Sequence, residues 1–190
     1  MARGRSGVRV SERALLVDVA RASIAAGLER GAPLAPDPSA YPEPLRALRA
    51  SFVTLRRAGA LRGCVGGLEA VRPLVADVAV HAFGAAFRDP RFAPLARSEA
   101  ADLAVHVSVL SPLEPLEAAS EDELCARLRP GVDGLVLEAG GCRGTFLPAV
   151  WAELPDARAF VRALKRKAGL APSDWPAELR VQRYTVEDVA

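Results

Sequence analysis

Two short stretches of the sequence place the same pair of residues just after a glycine turn. They are GALRGCVGG at 59–67 and GGCRGTFLP at 140–148, and the shared Arg-Gly pair is followed by Cys64 in the first and by Thr145 in the second. A cysteine near an arginine, in a corner where glycines leave backbone N–H groups accessible, is in surroundings that favour the nucleophilic thiolate. Cys64 is therefore a candidate nucleophile or ligand-binding group. The alternative is an inert cysteine that packs as a small hydrophobe.

A histidine further along the chain is a candidate general base for this thiol. His106 lies in DLAVHVSVL, residues 102–110, whose alternation of side chains predicts a strand. Its side chain shares a face with Ala104 and Ser108, and it reaches Cys64 if the two strands pair in the right register. The alternative for His106 is a structural role. For His81, on an alanine-rich helix, we expect a structural role with a backbone partner.

Three arginines are candidates for binding an anionic ligand. A guanidinium group presents paired N–H donors that match the oxygens of a carboxylate or a phosphate, and this applies to Arg62, Arg91 and Arg143. An ordinary salt bridge is the alternative for each of them. Backbone N–H groups near Gly63 and Gly66 are candidates for stabilising negative charge that develops on a substrate.

The same stretches argue against a nucleotide cofactor and against a metal ion. GCVGG lacks the length and the Lys-Ser/Thr pair of a P-loop, and GALRGCVGG does not match the dinucleotide-binding fingerprint. The three cysteines, Cys64, Cys125 and Cys142, have no CxxC spacing, and neither histidine is spaced to complete a metal site with them. We therefore predict no metal and no cofactor.

Composition and charge narrow the classes of partner and compartment. The chain has 190 residues, of which 51% are hydrophobic, and this is enough to bury a full core. Its 25 basic and 23 acidic residues are spread along the chain, so that no basic stripe is present to bind nucleic acid. The odd number of cysteines favours a reducing compartment, and no stretch reaches the ~18 apolar residues of a membrane span. These features predict a soluble cytoplasmic protein that binds neither nucleic acid nor membrane.

The elements that must position these residues begin with a helix and a connector. Apolar residues at spacings of three and four predict a helix over 11–31, with Ser11 as its N-cap. The segment 33–44 is rich in proline and shows no helix or strand pattern, so we expect a stiff connector there.

The rest of the chain shows one pattern twice. Residues 51–111 and 133–187 each predict a β-hairpin, then a helix, then a strand, and the last strand is LRVQRYTVE at 179–187. We predict an α+β fold in a single domain over 1–190, in which two duplicated units contribute mainly antiparallel sheet. Helices pack on the sheet, and a cleft lies between the two halves.

Several segments, in order, resemble the AMME chromosomal region family. They are LRGCVGG, AFRDPRFAPL, VSVLSPLEPL, GVDGLVLEAG, GTFLPAV and KRKAGL, and the resemblance covers about residues 11–189. Its most specific part is LRGC-x-G followed by DPRF. The resemblance implies a two-part α/β fold with a cleft that gathers the shared residues around the cysteine. It also implies a prokaryotic association with Memo-like and radical-SAM proteins, and it implies no particular reaction.

Carried over residue by residue, the family signature names a larger set of site residues. These are Arg62, Gly63, Cys64, Gly66, Asp89, Pro90, Arg91, Phe92, Ser108, Gly144, Leu147 and Pro148. The chain departs from the signature at Val65, where isoleucine is usual, and at Ala149, where glutamine is expected. His106 stands where an acidic residue is expected. If that acidic side chain serves as a base or a ligand in the family, this chain must use an imidazole in its place or lack the function.

Two functions remain open on this basis. The first is an enzyme in which Cys64 acts as nucleophile or acid–base group while Arg62 and Arg91 hold a small anionic substrate. The site is then expected in a cleft bordered by 62–67, 88–92, 106–108 and 144–148. The second is a binding or adaptor protein, in which the same cleft holds a ligand or a partner protein without chemistry.

Overall fold

A computed structural model of the chain describes residues 9–189. In that range the helices are α1 (Val10–Arg30), α2 (Glu43–Arg46), α3 (Leu74–Phe87), α4 (Glu121–Arg127) and α5 (Ala157–Ala168). The strands are β1 (Ser51–Arg57), β2 (Ala60–Gly66), β3 (Leu103–Leu110), β4 (Glu114–Pro115), β5 (Gly134–Ala139), β6 (Cys142–Phe146), β7 (Arg180–Tyr184) and β8 (Val186–Val189). Short 3₁₀ turns occur at Pro38–Ala40, Arg97–Asp102 and Pro148–Ala152.

These elements form two compact units, each built on one four-stranded sheet. The first unit runs to Leu110 and resumes at Glu187, and the second is Ser111–Val186. The strand order is β2-β1-β3-β8 in the first sheet and β4-β7-β5-β6 in the second. The predicted α+β class with mainly antiparallel sheet is confirmed.

The core of the first unit lies between α1, α3 and one face of its sheet. Apolar side chains at alternate positions of β1 and β3 are buried there, among them Val53, Leu55 and Val105. Because successive strand residues point to opposite faces, Thr54 and His106 lie on the other face of the sheet.

The second unit buries its core between α4, α5 and one face of its sheet. Trp151 stacks on Phe160 with ring centroids 3.9 Å apart, and its indole N–H donates to the carbonyl oxygen of Asp133 (2.7 Å). Lys165 of α5 is buried as well, and its Nζ donates to Glu121 Oε2 at the start of α4 (2.6 Å). This ion pair fastens the two helices to each other.

Two glycine C-caps follow the sequence signals, whereas Ser11 as the N-cap of α1 was wrong, because the helix begins at Val10 and Arg9 is its N-cap. The connector adds two short elements. Gly31 caps the C-terminus of α1 and Gly169 that of α5, and both glycines have the positive φ of a left-handed cap (68° and 84°). The connector 33–44 contains the turn at 38–40 and the beginning of α2 at Glu43. Its proline content did not indicate them, although proline in a first helical turn removes only an N–H that has no partner there.

The two units share the order of their principal strands. In each sheet the first strand of a hairpin lies between its hairpin partner and the strand that follows the helix: β2-β1-β3 and β6-β5-β7. Both hairpins turn through two residues with positive φ, Ala58-Gly59 (48° and 81°) and Gly140-Gly141 (56° and 80°). Duplication remains our interpretation of this shared order.

One predicted strand is divided in the structure. The sequence predicted a single strand over 179–187, and this was wrong, because β7 ends at Tyr184 and β8 begins at Val186 and joins the first sheet. Thr185 separates them: its carbonyl oxygen accepts from the N–H of Ser111 (2.9 Å), and its N–H donates to Ser111 Oγ (2.9 Å). The alternating pattern continues through Thr185, so periodicity alone does not mark where the chain leaves the second sheet.

Candidate functional site

Cys64, Thr54 and His106 lie in one row across three neighbouring strands of the first sheet. Thr54 of β1 is the register partner both of Cys64 in β2 and of His106 in β3. Residues directly opposite each other on paired strands present their side chains on the same face. We call this surface, which also carries Phe52 and Ser108 in the next row, the Cys64 face. It is opposite the face that packs on α1 and α3.

Thr54 is the direct partner of the thiol. Its Oγ1 donates a hydrogen bond to Cys64 Sγ over 3.3 Å. The main chain of Cys64 is turned away from β1, because its N–H donates to Asp89 Oδ2 (2.8 Å). The Thr54–Cys64 pair is therefore of the non-hydrogen-bonded kind, in which facing side chains approach most closely. The sequence did not single out Thr54, because its place opposite Cys64 depends on the hairpin register.

His106 lies one strand further from the thiol than its predicted role required. β1 runs between β2 and β3, so the strands that carry Cys64 and His106 do not pair with each other. With ~4.8 Å between neighbouring strands, the two backbones are roughly 9.6 Å apart. His106 is exposed, and Thr54 is the residue between it and the thiol.

Asp89 fixes the backbone of Cys64 at the outer edge of β2. Its buried carboxylate accepts from the Cys64 N–H (2.8 Å) and from Arg91 Nε (2.9 Å) and Nη2 (2.7 Å). The hydrogen bonds from Arg91 hold the pKa of Asp89 far below its usual value, against the opposing effect of burial. Because the Cys64 N–H is engaged by this carboxylate, it is not free to stabilise charge on a substrate in this arrangement.

Arg91 brings a positive charge to the neighbourhood of the thiol. Its pKa is raised, first by its hydrogen bonds to Asp89, against burial, and to a smaller extent by the charge of Asp89 and by Cys64. The ring of Phe92 lies 5.5 Å from its guanidinium carbon. The side chain of Arg91 is 55% exposed, so this cation is fixed by Asp89 and still accessible.

Arg62 forms the salt bridge that was the alternative to ligand binding. Its Nε and Nη2 donate to the two carboxylate oxygens of Glu99 (2.8 and 2.9 Å), and Nη2 also donates to the carbonyl oxygen of Ala93 (3.0 Å). The pKa of Glu99 is lowered to about 2, chiefly by the hydrogen bonds from Arg62. Arg62 therefore fixes the segment 93–99 against β2.

Gly63 and Gly66 allow close packing of the hairpin. A Cβ on Gly63 would overlap the carbonyl oxygen of Ala85 in α3, and a Cβ on Gly66 would overlap the ring of Phe52. Glycine is the residue that allows such approaches. The hydroxyl of Ser108 is engaged within the first unit, where Oγ donates to Asp188 Oδ1 (2.6 Å).

The remaining candidates from the sequence belong to the second unit and are Arg143, Gly144 and Pro148. Arg143 Nε lies 3.9 Å from Glu138 Oε2, and Pro148 begins a 3₁₀ turn. A Cβ on Gly144 would lie 2.8 Å from the Cβ of Ala168 in α5. The glycine of each Arg-Gly pair thus lies where the helix of its own unit packs on the hairpin.

The second sheet contains a row equivalent to that of Cys64. Thr145 follows the second Arg-Gly pair, and its register partner Val136 is also paired with Gln182 of β7. Cysteine, threonine and histidine in the first row therefore correspond to threonine, valine and glutamine in the second. The second row has no thiol and no imidazole, so the groups suited to nucleophilic and proton-transfer chemistry occur only in the first.

His81 has side-chain partners, and the expected backbone partner was wrong. Its Nδ1 lies 3.1 Å from Asp77 Oδ2 and 3.3 Å from Ser51 Oγ, which itself donates to Asp77 Oδ2 (2.7 Å). Within residues 9–189 no group of three or more His, Cys, Asp or Glu side chains is arranged to hold a metal ion. Among the described helices, none is both long enough and apolar enough to cross a membrane.

Comparisons with known proteins cover both units. A family model described as AMMECR1 matches residues 17–189. A protein of Methanothermobacter thermautotrophicus is 42% identical over 174 residues, which are 90% of each chain. A protein of Thermotoga maritima is 35% identical over 159 residues, which cover 83% of this chain and 86% of that one. The crystal structure of the uncharacterized protein PH0010 from Pyrococcus horikoshii matches with a TM-score of 0.82 at 36% identity, covering 91% of this chain and 88% of that one.

Proposed function

The chain belongs to the AMMECR1 family, and we propose that it binds a small anionic ligand at the Cys64 face, where the Cys64 thiol reacts with the ligand as a nucleophile. One observation carries this proposal: the Thr54 hydroxyl donates to the half-buried thiol on the sheet face opposite the core. A hydrogen bond to sulfur favours the thiolate, and the thiolate is the reactive form of cysteine. The equivalent row of the second sheet lacks a thiol, which supports assigning the chemistry to the first unit.

Arg91 is the residue that we propose for holding the anionic group of the ligand. Its salt bridge to Asp89 fixes the guanidinium on the carboxylate that also accepts from the Cys64 N–H, while more than half of the side chain stays exposed. Arg62, by contrast, already gives its Nε and Nη2 hydrogen bonds to Glu99. A carboxylate or a phosphate is the group that an exposed guanidinium recognises best.

The proposed reaction begins with attack of Cys64 Sγ on an electrophilic carbon of the ligand. The S–C bond forms as the leaving group departs with the electron pair of its own bond to that carbon. Water then displaces the sulfur and regenerates the thiol. Cys64→Ser keeps the size of the side chain and removes the thiolate, so it should retain ligand binding and lose the reaction.

Binding is tested by thermal-shift measurements with small carboxylates and phosphates. A ligand at a hundredfold excess over its dissociation constant adds ~2.7 kcal/mol to the stability of the folded protein. Arg91→Ala should abolish that shift. Arg180→Ala is the matched control, because Arg180 is an exposed arginine of the second unit paired with Glu138, and it should leave the shift unchanged. A shift that survives Arg91→Ala contradicts the proposed anion site.

A second candidate function, docking of a partner protein, is supported by two exposed apolar side chains on bridged segments. Leu48 and Val71 are 60% and 63% exposed, Leu48 forms an isolated bridge with Pro73, and Val71 precedes Pro73 by two residues. Contiguous apolar patches on folded proteins mark interaction sites. The family resemblance suggests Memo-like and radical-SAM proteins as partners. A purified Memo-like protein should lose binding to the Leu48→Asp, Val71→Asp double variant and keep binding to the control Val132→Asp.

We also propose a cytoplasmic location. Cys64, Cys125 and Cys142 are all free thiols in the structure. Free thiols persist in reducing compartments, whereas secreted domains of this size commonly form disulfides. Fractionation of the native host, with detection of the protein by antibody, tests the location directly.

A further inference from the structure

We infer that His106 takes up the proton of the Cys64 thiol through the hydroxyl of Thr54, so that the row of three residues acts as a proton relay. The inference rests on the proposed function, because it concerns the same thiol. It deepens that function by making Thr54 a positioning residue and His106 the base that acts through it. The register of β2, β1 and β3 places Thr54 between Cys64 and His106.

The alternation of main-chain hydrogen bonds sets how closely Thr54 approaches each neighbour. Just before β1, the carbonyl oxygen of Ala50 accepts from the N–H of Leu110 at the end of β3 (3.0 Å). Every second residue of a strand bonds to the same neighbour, so Thr54 also bonds to β3. Its pair with Cys64 is therefore the narrow one, and its pair with His106 is the wide one, with about 5.5 Å between Cα atoms. Facing side chains of such a pair have Cβ atoms up to about 5.5 Å apart, and the relay requires the His106 ring to turn toward the Thr54 hydroxyl across that distance.

The relay balances in protons and charge. The proton on Cys64 Sγ moves to Thr54 Oγ1 as the hydroxyl proton of Thr54 moves to a ring nitrogen of His106. Thr54 remains a neutral alcohol, and the products are a thiolate and an imidazolium. After this step the hydroxyl of Thr54 donates to the thiolate, and this is the direction of the hydrogen bond from Oγ1 to Sγ in the structure (3.3 Å). The relay requires no oxidant, metal or other reactant.

Other charged groups near the row are held in pairs or contacts of their own. Beside Cys64, the carboxylate of Asp89 is engaged by Arg91. On the β8 side, Asp188 accepts from Ser108. On β1 itself, Nη1 of Arg56 donates to the carbonyl oxygen of Gly59 (3.0 Å). His106 supplies the imidazole of the row, and imidazole is the side-chain group most often used as a general base.

The equivalent row of the second sheet supplies the substitutions for testing the relay. Val136 has no hydroxyl and Gln182 is not a base, so that row cannot carry a proton. The hydroxyl of Thr145 is used within the unit, where it donates to the carbonyl oxygen of Leu135 (2.9 Å) and lies 2.8 Å from the hydroxyl of Tyr184. Thr54→Val and His106→Gln therefore copy residues that already occur in a sheet of this strand order.

The first test is the rate of alkylation of Cys64 by iodoacetamide in the folded protein. At pH 7, His106→Gln should slow alkylation about tenfold. This is the loss of thiolate that a one-unit rise in the pKa of a thiol produces. In the Thr54→Val background the same substitution should have no effect, and Thr54→Ser should restore the wild-type rate profile across pH 5–9. An equal effect of His106→Gln in both backgrounds, or none in either, overturns the relay.

The second test does not require Cys64 to react. The pH titration of the His106 ring is followed by NMR, where only one other histidine, His81, contributes. Cys64→Ala should move the midpoint of the His106 titration. In the Thr54→Val background, the proteins with Cys64 and with Cys64→Ala should have the same midpoint. Identical titrations with and without the thiol overturn the relay. A His106 that senses the thiol while Cys64 never reacts leaves the relay standing and removes the proposed nucleophile.

Discussion

Cys64 and Thr145 occupy equivalent positions in two sheets of the same strand order. Each follows an Arg-Gly pair in the second strand of a hairpin, and each faces the first strand of that hairpin, at Thr54 and at Val136. The facing hydroxyl donates to sulfur in the first unit, whereas valine has no donor in the second. The cysteine that follows an Arg-Gly pair is thus in the row that gives its sulfur a hydrogen bond.

The glycines of the Arg-Gly pairs should resist substitution. Gly63→Ala places a methyl group against the backbone of α3 at Ala85, and overpacking of this kind costs typically ~1–3 kcal/mol. Gly67→Ala in the same motif is the matched control, because its Cβ would meet nothing closer than 3.8 Å. Urea unfolding of both variants measures the difference. Equal losses of stability would show that close packing is not the reason for Gly63.

The turn of the first hairpin should be open to stabilisation. Ala58 has a φ of 48°, a left-handed conformation that is unfavourable for alanine and well tolerated by asparagine. Ala58→Asn creates the Asn-Gly pair typical of such turns and should add ~0.5–1 kcal/mol. Thermal unfolding should then shift upward by roughly 1–4 °C for a chain of this size. The control Ala60→Asn, in strand β2, should not raise the midpoint, and a rise in both variants would rule out relief at the turn.

The Arg62–Glu99 salt bridge should make stability depend on acid pH. The pKa of Glu99 is lowered from 4.5 to about 2 in the folded protein by Arg62, so the folded state binds a proton less readily than the unfolded chain. The stabilisation is fully present above pH 4.5 and is lost as the pH falls toward 2. Glu99→Gln should flatten the dependence of unfolding free energy on pH in that window, whereas the exposed control Glu153→Gln should leave it unchanged. Parallel curves for wild type and Glu99→Gln would contradict the coupling.

The buried ammonium of Lys165 should contribute through its partner Glu121. Removing one member of a buried ion pair costs ~3–5 kcal/mol, and we expect the lower end because Arg162 also contacts Glu121. Lys165→Met should cost less than Lys165→Ala, since methionine fills the same space. Lys167→Ala, an exposed lysine of the same helix, should change unfolding free energy by less than ~1 kcal/mol. If Lys165→Ala is as mild as the control, the pair is not a structural tie.

The sequence predicted most of the fold because the signals are local. Side-chain alternation placed β3, and the glycine-containing turns placed both hairpins. The split at Thr185 escaped prediction, because a chain that leaves one sheet for another keeps the same alternation. The strand β4 has only two residues, which is too short for a side-chain alternation to be recognised. It is a strand only because it pairs with β7.

The site was predicted in part, for a different physical reason. Cys64 and Arg91 were recognised by residue type and Asp89 by the family resemblance, and the structure joins all three through the hydrogen bonds of Asp89. Thr54 was missed, because its role follows from a register that pairs residues ten positions apart. Arg62 kept its alternative role as a salt-bridge partner, and residue type alone does not tell such an arginine from one that binds a ligand.

The measurement that tests the central claim most directly is alkylation of the three cysteines in the folded protein. Iodoacetamide labelling across pH 5–9, with each cysteine quantified by peptide mass spectrometry, should modify Cys64 first and at the lowest pH. Cys125 should react later, because burial raises the pKa of its thiol and Glu121 adds to that rise. Cys142 precedes its Arg-Gly pair and serves as the second internal control. Cys64→Ser should abolish the early phase without changing the unfolding transition. Labelling of Cys64 only after denaturation would show that it is an inert residue of the sheet, and would contradict the proposed nucleophile.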